Sequence, residues 1–243
     1  MTVERITYHA GGNTFIGALV YDETVAGKRP LMLLAPNWLG VSEEAIARTH
    51  QIIGDRYIGF VADMYGDGKV SEGPPESAQL ADALRADPQE RRLRIAAALS
   101  ALVQESERRG IGDPSLKAAV GFCFGGGNVL ELARAGADLK AAICVHGDLN
   151  TPLPARSGDI QAALLVLHGA ADPVAPKAQR DAFEAEMEAA EARWQMLTFG
   201  HALHSFCEVE SNVPGIAQYD ETAARQSYRL INEFITDAFA GRL

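Results

Sequence analysis

The chain has 243 residues and 47% hydrophobic content, which is ample for the core of one large α/β domain. Its 22 Lys and Arg residues stand against 32 Asp and Glu residues, and the net charge of −10 disfavours nucleic acid and anionic membranes as partners, since both require basic patches. No apolar run is long enough to span a bilayer, and the N-terminus lacks the layout of a signal peptide. We therefore expect a soluble, cytoplasmic protein in which residues 1–243 form a single domain.

In chain order, the sequence begins with alternating polar and apolar residues over 4–9 and 14–21, which predict an antiparallel hairpin around Gly11, Gly12 and Asn13. Five continuous apolar runs then predict strands that are buried on both faces, and a sixth strand is predicted after the last of these runs. These strands cover residues 31–35, 58–62, 117–120, 141–145, 163–167 and 194–199. Helical spacing of apolar residues predicts helices over residues 42–55, 88–109, 125–135, 175–191 and 219–239. Short Pro- and Gly-rich stretches at 73–75 and 151–158 are interpreted as loops.

Alternation of strands and helices favours an α/β fold with a mainly parallel central sheet flanked by helices. Ligands of such sheets bind at the carboxyl ends of the strands. One of these ends carries the pentapeptide Gly121-Phe122-Cys123-Phe124-Gly125, directly before a predicted helix. This pattern is typical of a nucleophile elbow, a strained strand-to-helix turn, with cysteine in place of serine.

The elbow has two alternative interpretations. Glycine-rich turns are common in α/β proteins, and free cysteines are often inert core residues. Phosphate binding is less favoured, because Gly125-Gly126-Gly127 is not followed by a Lys-Ser or Lys-Thr pair. If the turn is an elbow, the amides of the following helix face Cys123, and their partial positive charge favours a thiolate.

Two later strand ends offer partners for this thiol. Asp172 follows the strand at 163–167, and both His201 and His204 follow the strand at 194–199. Nucleophile, acid and histidine in this order are typical of α/β-hydrolases. An alternative role for Asp172 is to cap the next helix, and His201 competes with His204 for the role of base. His146 and His168, also at strand ends, are interpreted as polar wall or hydrogen-bonded loop residues.

Four motifs together resemble the dienelactone hydrolase family over nearly the whole chain. They are Gly-Phe-Cys-Phe-Gly-Gly at 121–126, Leu-His-Gly-Ala-Ala-Asp-Pro at 167–173, His-Ser-Phe at 204–206 and Asp-Met-Tyr-Gly at 63–66. The resemblance implies an α/β-hydrolase fold with a triad of Cys123, Asp172 and His204, and no metal or organic cofactor. The His-Ser-Phe motif favours His204 over His201 as the base.

Acyl transfer also requires hydrogen-bond donors for the developing oxyanion. The backbone amide of Phe124 follows the nucleophile directly and is one expected donor. Trp38 is the second by family resemblance, and a plain apolar pocket wall is its alternative role. Three cysteines without close pair spacing, Cys123, Cys144 and Cys207, predict neither a disulfide framework nor a zinc site, so at least one is expected to be a free thiol.

Two positions depart from what the resemblance implies. Asn37 stands where the family has a glutamate that helps to convert the thiol to thiolate, and an amide cannot accept that proton. Glu208 stands where the family has an arginine for the substrate carboxylate, so an acidic substrate is disfavoured. Arg85, which lies in a segment interpreted as rich in loops, is a weak candidate for the family's other arginine.

The residues beside the expected site are largely aromatic or apolar and include Met64, Tyr65 and Phe206, which with Asn37 and Glu208 form the expected substrate pocket. They favour a small neutral ester or lactone as substrate. A thiolate facing oxyanion donors could also attack an aryl phosphotriester, which is a secondary hypothesis. A non-catalytic thiol protein that senses oxidants or binds a ligand is the alternative from another class. The chain is expected to be a monomer or a homodimer.

Overall fold

The computed structural model describes the whole chain, Met1–Leu243. It contains an eight-stranded, mostly parallel sheet, a two-stranded sheet and six helices. The chain divides into two compact units, which cover Met1–Val120 and Gly121–Leu243. None of the six helices combines the length and the apolar character that crossing a membrane requires.

The first unit begins with the predicted hairpin. Strands β1 (Thr2–Ala10) and β2 (Asn13–Tyr21) pair antiparallel, with Tyr8 opposite Phe15 and their rings stacked at 5.4 Å. Strands β3 (Arg29–Ala35) and β4 (Ile58–Val61) pair parallel and are almost fully buried, as their continuous apolar runs predict. The strand order in this unit is β1-β2-β4-β3-β5, where β5 is Gly112–Phe122 and ends just past the unit boundary.

Capping residues mark where helices of the first unit begin and end. Helix α1 (Glu43–Ile53) begins after Ser42, whose side chain accepts a hydrogen bond from the Ala45 amide at 3.2 Å. Helix α3 (Pro88–Arg109) begins after Asp87, which caps the Glu90 amide at 3.0 Å, and ends at Gly110 with φ of 70°. Helix α1 packs on β4, and α3 packs on β1 and β3.

One prediction in this unit is wrong. Residues 73–75 do not form a loop, because Pro74 and Pro75 open helix α2 (Pro74–Ala86). Proline fits the first turn of a helix, where its missing N–H would have no partner in any case. Arg85, placed in a segment rich in loops, instead lies in α2 and forms an ion pair with Asp82 of the same helix at 2.8 Å.

The second unit has three parallel strands in the order β6 (Ala141–Val145), β7 (Ala163–Gly169) and β8 (Trp194–Phe199). Val145 lies beside Leu167, and Leu167 lies beside Leu197, so the strands end at a common edge. Helices α4 (Phe124–Arg134), α5 (Lys177–Ala189) and α6 (Glu221–Phe239) and the short strands β9 (Asn212–Val213) and β10 (Ala217–Gln218) complete the unit. Helices α4 and α6 both pack on β6. The chain that follows each strand therefore starts from one edge of the sheet.

Candidate active site

The turn between β5 and α4 has the strained backbone of a nucleophile elbow. Cys123 has φ of 53° and ψ of −122° and stands directly before the first residue of α4. L-residues rarely adopt such a conformation, so the surrounding structure must hold it. A Cβ on Gly121 would collide with the carbonyl oxygen of Gly125, and one on Gly126 would lie 2.8 Å from Sγ of Cys144. Only glycine permits strand and helix to pass this close.

Three side chains from three different loops form a hydrogen-bonded chain at this edge. Nε2 of His204 lies 3.1 Å from Sγ of Cys123, and Nδ1 of His204 lies 2.9 Å from Oδ2 of Asp172. His204 and Asp172 are buried, whereas Cys123 is partly exposed. The structure thus brings together the three residues that the motifs single out, with the sulfur at the accessible end.

Hydrogen bonds to backbone groups hold the two loops that carry Asp172 and His204. His204 donates its N–H to Ile216 and accepts from the N–H of Gln218, at 3.1 and 3.0 Å. Oδ1 of Asp172 accepts from the amides of Val174 and Ala175, at 2.7 and 3.1 Å. Asp172 therefore holds its own loop with one oxygen and contacts His204 with the other. It does not cap the next helix, because α5 begins after Pro176.

His201, the competing histidine, is exposed and has φ of 64°. It stands three positions before His204 in the same loop, and only His204 bonds to Cys123 and Asp172. These contacts distinguish His204 from His201, and the role of His204 as the base stays a prediction.

Electrostatics favour the protonated form of His204. Burial alone would lower the pKa of His204, but the negative charge of Cys123 and the hydrogen bonds to Asp172 and Cys123 outweigh it and raise the pKa to about 10. Burial likewise opposes ionisation of Asp172, yet the hydrogen bond and charge of His204 and the amides of Ala175 and Val174 keep the pKa of Asp172 below its usual value. At neutral pH the imidazole is therefore protonated, with the carboxylate of Asp172 on one side and the sulfur of Cys123 on the other.

A second histidine contacts the backbone of Cys123. Nδ1 of His146 accepts a hydrogen bond from the backbone N–H of Cys123 at 3.2 Å, and Nε2 of His146 lies 3.8 Å from Oε1 of Glu208. Its place at a strand end is the only sequence signal for His146, and this signal does not predict the contact with Cys123. His168, also interpreted as a loop residue, lies instead within β7, where burial lowers its pKa.

The expected pocket residues of this unit are mostly buried. Phe206 is fully buried and packs edge-on against His146 at 4.9 Å and against Phe199 at 5.3 Å. Glu208 is 8% exposed, with its carboxylate near His146. Phe124 opens α4 directly after Cys123, so its amide belongs to the positive end of that helix. Phe206 thus serves to hold His146 in this structure.

Asn37, Trp38 and Tyr65 meet in the first unit. The hydroxyl of Tyr65 donates to the carbonyl oxygen of Trp38 at 2.9 Å, and Oδ1 of Asn37 accepts from the amide of Leu39 at 3.0 Å. The amide of Tyr65 donates to Oδ1 of buried Asp63, also at 2.9 Å. The amide side chain of Asn37 therefore shapes the loop around Trp38.

Met64, the remaining pocket candidate, is 1% exposed and belongs to the core of the first unit. No group of three or more His, Cys, Asp or Glu side chains is arranged to hold a metal ion.

The architecture and the elbow define the class of the protein, and comparison with known proteins defines its family. Solved structures with the α/β-hydrolase fold superimpose on the chain over nearly its full length. The model of the dienelactone hydrolase family matches residues 16–239, and the chain belongs to this family. The protein is accordingly a hydrolase of α/β-hydrolase fold.

Two solved structures are similar over 98% of both chains. One is m3DLH, which is 32% identical with a TM-score of 0.89. The other is a dienelactone hydrolase-like promiscuous phosphotriesterase, P91, from metagenomic libraries, which is 34% identical with a TM-score of 0.86. The uncharacterized protein K02A2.1 of Caenorhabditis elegans is 36% identical over 127 residues, which are 50% of this chain and 80% of that protein.

Proposed function

We propose that the protein hydrolyses small carboxylic esters or lactones through a thioester on Cys123. The observation that supports this most directly is the chain of contacts from Sγ of Cys123 through His204 to Asp172, at 3.1 and 2.9 Å. Nucleophile, base and orienting acid are all within hydrogen-bond reach, which is the geometry that covalent catalysis needs.

The reaction would begin with attack of the Cys123 thiolate on the ester carbonyl carbon. The resulting tetrahedral oxyanion collapses when the protonated His204 donates the proton on Nε2 to the leaving alkoxide, which departs as the alcohol. The neutral His204 then takes a proton from water as hydroxide adds to the thioester. Collapse of the second tetrahedral intermediate releases the carboxylic acid and restores the thiolate and imidazolium. In a lactone, the alcohol and the acid are one hydroxy acid.

Backbone amides would stabilise both tetrahedral oxyanions. The Phe124 amide is suited to this role because it follows the nucleophile and lies at the N-terminus of α4. The Trp38 amide, expected from the family resemblance, stays a prediction. Each such donor contributes about 3 to 4 kcal/mol in comparable enzymes.

Asn37 and Glu208 bear on activation and substrate choice. The amide of Asn37 has no basic atom for the thiol proton, so we assign activation of Cys123 to His204 and the N-terminus of α4. Glu208 brings a carboxylate to the unit that carries Cys123, so an anionic substrate would meet like charge. Neutral esters and lactones are therefore the favoured substrates.

A second candidate activity is hydrolysis of aryl phosphotriesters. P91, which is 34% identical over 98% of both chains, is described as a promiscuous phosphotriesterase. The same thiolate would displace the aryl oxide from phosphorus, and water would then hydrolyse the phosphoryl thiolate. Amides that stabilise a carbonyl oxyanion also suit the non-bridging oxygen of this transition state.

The test is a panel of p-nitrophenyl esters, lactones and aryl dialkyl phosphates assayed with wild-type protein, Cys123→Ala and His204→Asn. We expect both variants to lose ester hydrolysis by at least about a thousandfold, because both belong to one hydrogen-bonded unit. His201→Asn is the matched control, since it makes the same substitution in the same loop at an exposed position and should retain activity.

Mass spectrometry of the protein mixed with a slow ester should show the acyl group on Cys123. Retention of wild-type ester turnover by Cys123→Ala would overturn the proposal. Alkylation of Cys123 by iodoacetamide in a protein without any hydrolytic activity would instead favour the oxidant-sensing alternative. Ester turnover with background rates on the phosphates would limit the activity to carboxylic esters.

A further inference from the structure

We propose that His146 and Glu208 form a second histidine–carboxylate pair, which holds the backbone amide of Cys123 and so positions the nucleophile. Both are positioning residues, because they act through Cys123 and not on the substrate. Its role in catalysis rests on the proposed function, whereas the existence of the pair does not depend on that function.

The contacts of the His146 ring assign its tautomer. The N–H of Cys123 donates both to the carbonyl oxygen of Val145 at 3.0 Å and to Nδ1 of His146 at 3.2 Å. Nδ1 must therefore carry a lone pair, and the proton of the neutral ring must be on Nε2. A carboxylate oxygen of Glu208 lies 3.8 Å from Nε2 and favours a proton at that atom. Two independent contacts thus point to the same tautomer.

The shared hydrogen bond joins two strained residues. Cys123 has φ of 53° and His146 has φ of 39°, and neither is glycine. Such conformations persist only where neighbouring groups hold them. The bond from the Cys123 amide to the His146 ring supplies such a restraint at the residue that carries the nucleophilic sulfur.

The packing around His146 fixes the orientation of its ring. The side chain is fully buried, with Phe206 edge-on at 4.9 Å and Phe122 tilted at 5.9 Å. The ring of His204 lies edge-on at 5.5 Å. Because Nδ1 of His146 accepts a hydrogen bond, the ring is neutral and places no second positive charge beside the protonated His204. Glu208 adds a carboxylate nearby.

The same geometry argues against His146 as a competing base. Its Nδ1 is engaged by the Cys123 amide, while the Cys123 sulfur is bonded by Nε2 of His204. His146 therefore helps to set the position of the Cys123 sulfur, and His204 exchanges the proton with that sulfur.

The kinetic test compares His146→Leu with His146→Asn. Oδ1 of asparagine can accept from the Cys123 amide in place of Nδ1, and asparagine tolerates positive φ better than other side chains. Leucine has a similar bulk and no acceptor. We expect kcat for a p-nitrophenyl ester to fall about a hundredfold in His146→Leu with KM within about twofold, because a small displacement of a reacting atom is costly. His146→Asn should recover at least about tenfold of that loss.

Thermal melting of each variant separates positioning from general destabilisation. A merely structural role predicts equal kcat for both variants once both are folded at the assay temperature, and that result would overturn the proposal. Should His146→Leu fail to fold, the comparison passes to Glu208→Gln and Glu208→Leu, because Gln keeps a polar oxygen near Nε2 and Leu does not. Retention of full kcat by Glu208→Leu would then exclude a role for the carboxylate.

A measurement without substrate tests the pair directly. Correlation spectra of ¹⁵N-labelled wild-type protein at neutral pH should show His146 with the proton on Nε2 and an unprotonated Nδ1. In Glu208→Leu the Nδ1–H tautomer should gain population. A wild-type ring with the proton on Nδ1, or a doubly protonated one, would overturn the inference. Because these spectra need no turnover, they decide the pair even if wild-type protein hydrolyses no ester and the proposed function fails.

Discussion

Nε2 of His204 lies 3.1 Å from Sγ of Cys123, and this contact is the main reason that the imidazole holds its proton. Burial of the ring acts in the opposite direction, since it penalises the charged form. The interactions with Cys123 and with the carboxylate of Asp172 on the other side of the ring together outweigh burial. His204 therefore carries its proton beside Cys123 in the absence of substrate.

The pH profile of hydrolysis should follow the protonation of His204. The pKa of His204 is raised from 6.5 to about 10, so the protonated form persists through neutral pH and is lost as the pH rises through about 10. For an alkyl ester, whose leaving group needs a proton, we expect kcat/KM to decline near that pH. A p-nitrophenyl ester is the control, because its leaving group departs without an acid and should show a weaker decline. A decline near pH 6.5 for the alkyl ester would contradict the assignment.

Asp172→Asn should inactivate the protein with little effect on its fold. Oδ1 of asparagine can still accept from Val174 and Ala175, but its NH₂ would then face Nδ1 of His204 and force the imidazole proton onto Nε2, the atom beside Cys123. A base with its proton on the wrong nitrogen cannot take one from the nucleophile. We expect kcat to fall about 10²- to 10⁴-fold, as wrong-tautomer variants of triad enzymes do.

The control for this variant is Asp220→Asn, which changes the aspartate that caps the Ala223 amide at the start of α6. Asparagine caps as well as aspartate does, so activity and melting temperature should both be preserved. If Asp172→Asn retained kcat within about tenfold of wild type, Asp172 would have no part in orienting the base.

Tyr65→Phe tests the loop around Trp38. The substitution removes the hydroxyl that donates to the Trp38 carbonyl at 2.9 Å and should lower the free energy of unfolding by about 1 kcal/mol. If the Trp38 amide stabilises the oxyanion, the loosened loop should also lower kcat about tenfold with KM little changed. Tyr21→Phe removes the hydroxyl that donates to Glu4 at 3.0 Å and accepts from Arg109 at 3.2 Å, and should reduce stability alone. Equal kcat values for the two variants would argue against Trp38 as a donor.

The fold was largely predictable because its strands are buried runs and its helices have regular apolar spacing. The exception is α2, which begins at Pro74 directly after Gly73. The residues Gly73, Pro74 and Pro75 together resemble a loop, although proline suits a first helical turn. Local patterns could not reveal that these residues start a helix of 13 residues.

The parts of the candidate site that depend on the order of residues along the chain were predictable. The parts that depend on backbone geometry were not. Strand ends at one edge of the sheet predict that Cys123, Asp172 and His204 come together. The contact of His146 with the Cys123 amide depends on positive φ values at both residues, which no sequence pattern records. The bond from Tyr65 to Trp38 joins segments 27 positions apart and depends on how two loops pack.

Gly121→Ala should show how closely the elbow is packed. A Cβ at this position would collide with the carbonyl oxygen of Gly125, and backbone atoms cannot give way as a flexible side chain can. We expect the free energy of unfolding, measured with urea, to fall by about 3 kcal/mol, at the upper end of what overpacking costs. Activity should fall as well, because the residue two positions later carries the sulfur. Gly200→Ala is the control, since a Cβ there meets no atom within 4 Å and the change should cost less than about 0.5 kcal/mol. Equal stability of the two variants would mean that the turn relaxes readily, and the strain at Cys123 would then not be held by the close passage of strand and helix.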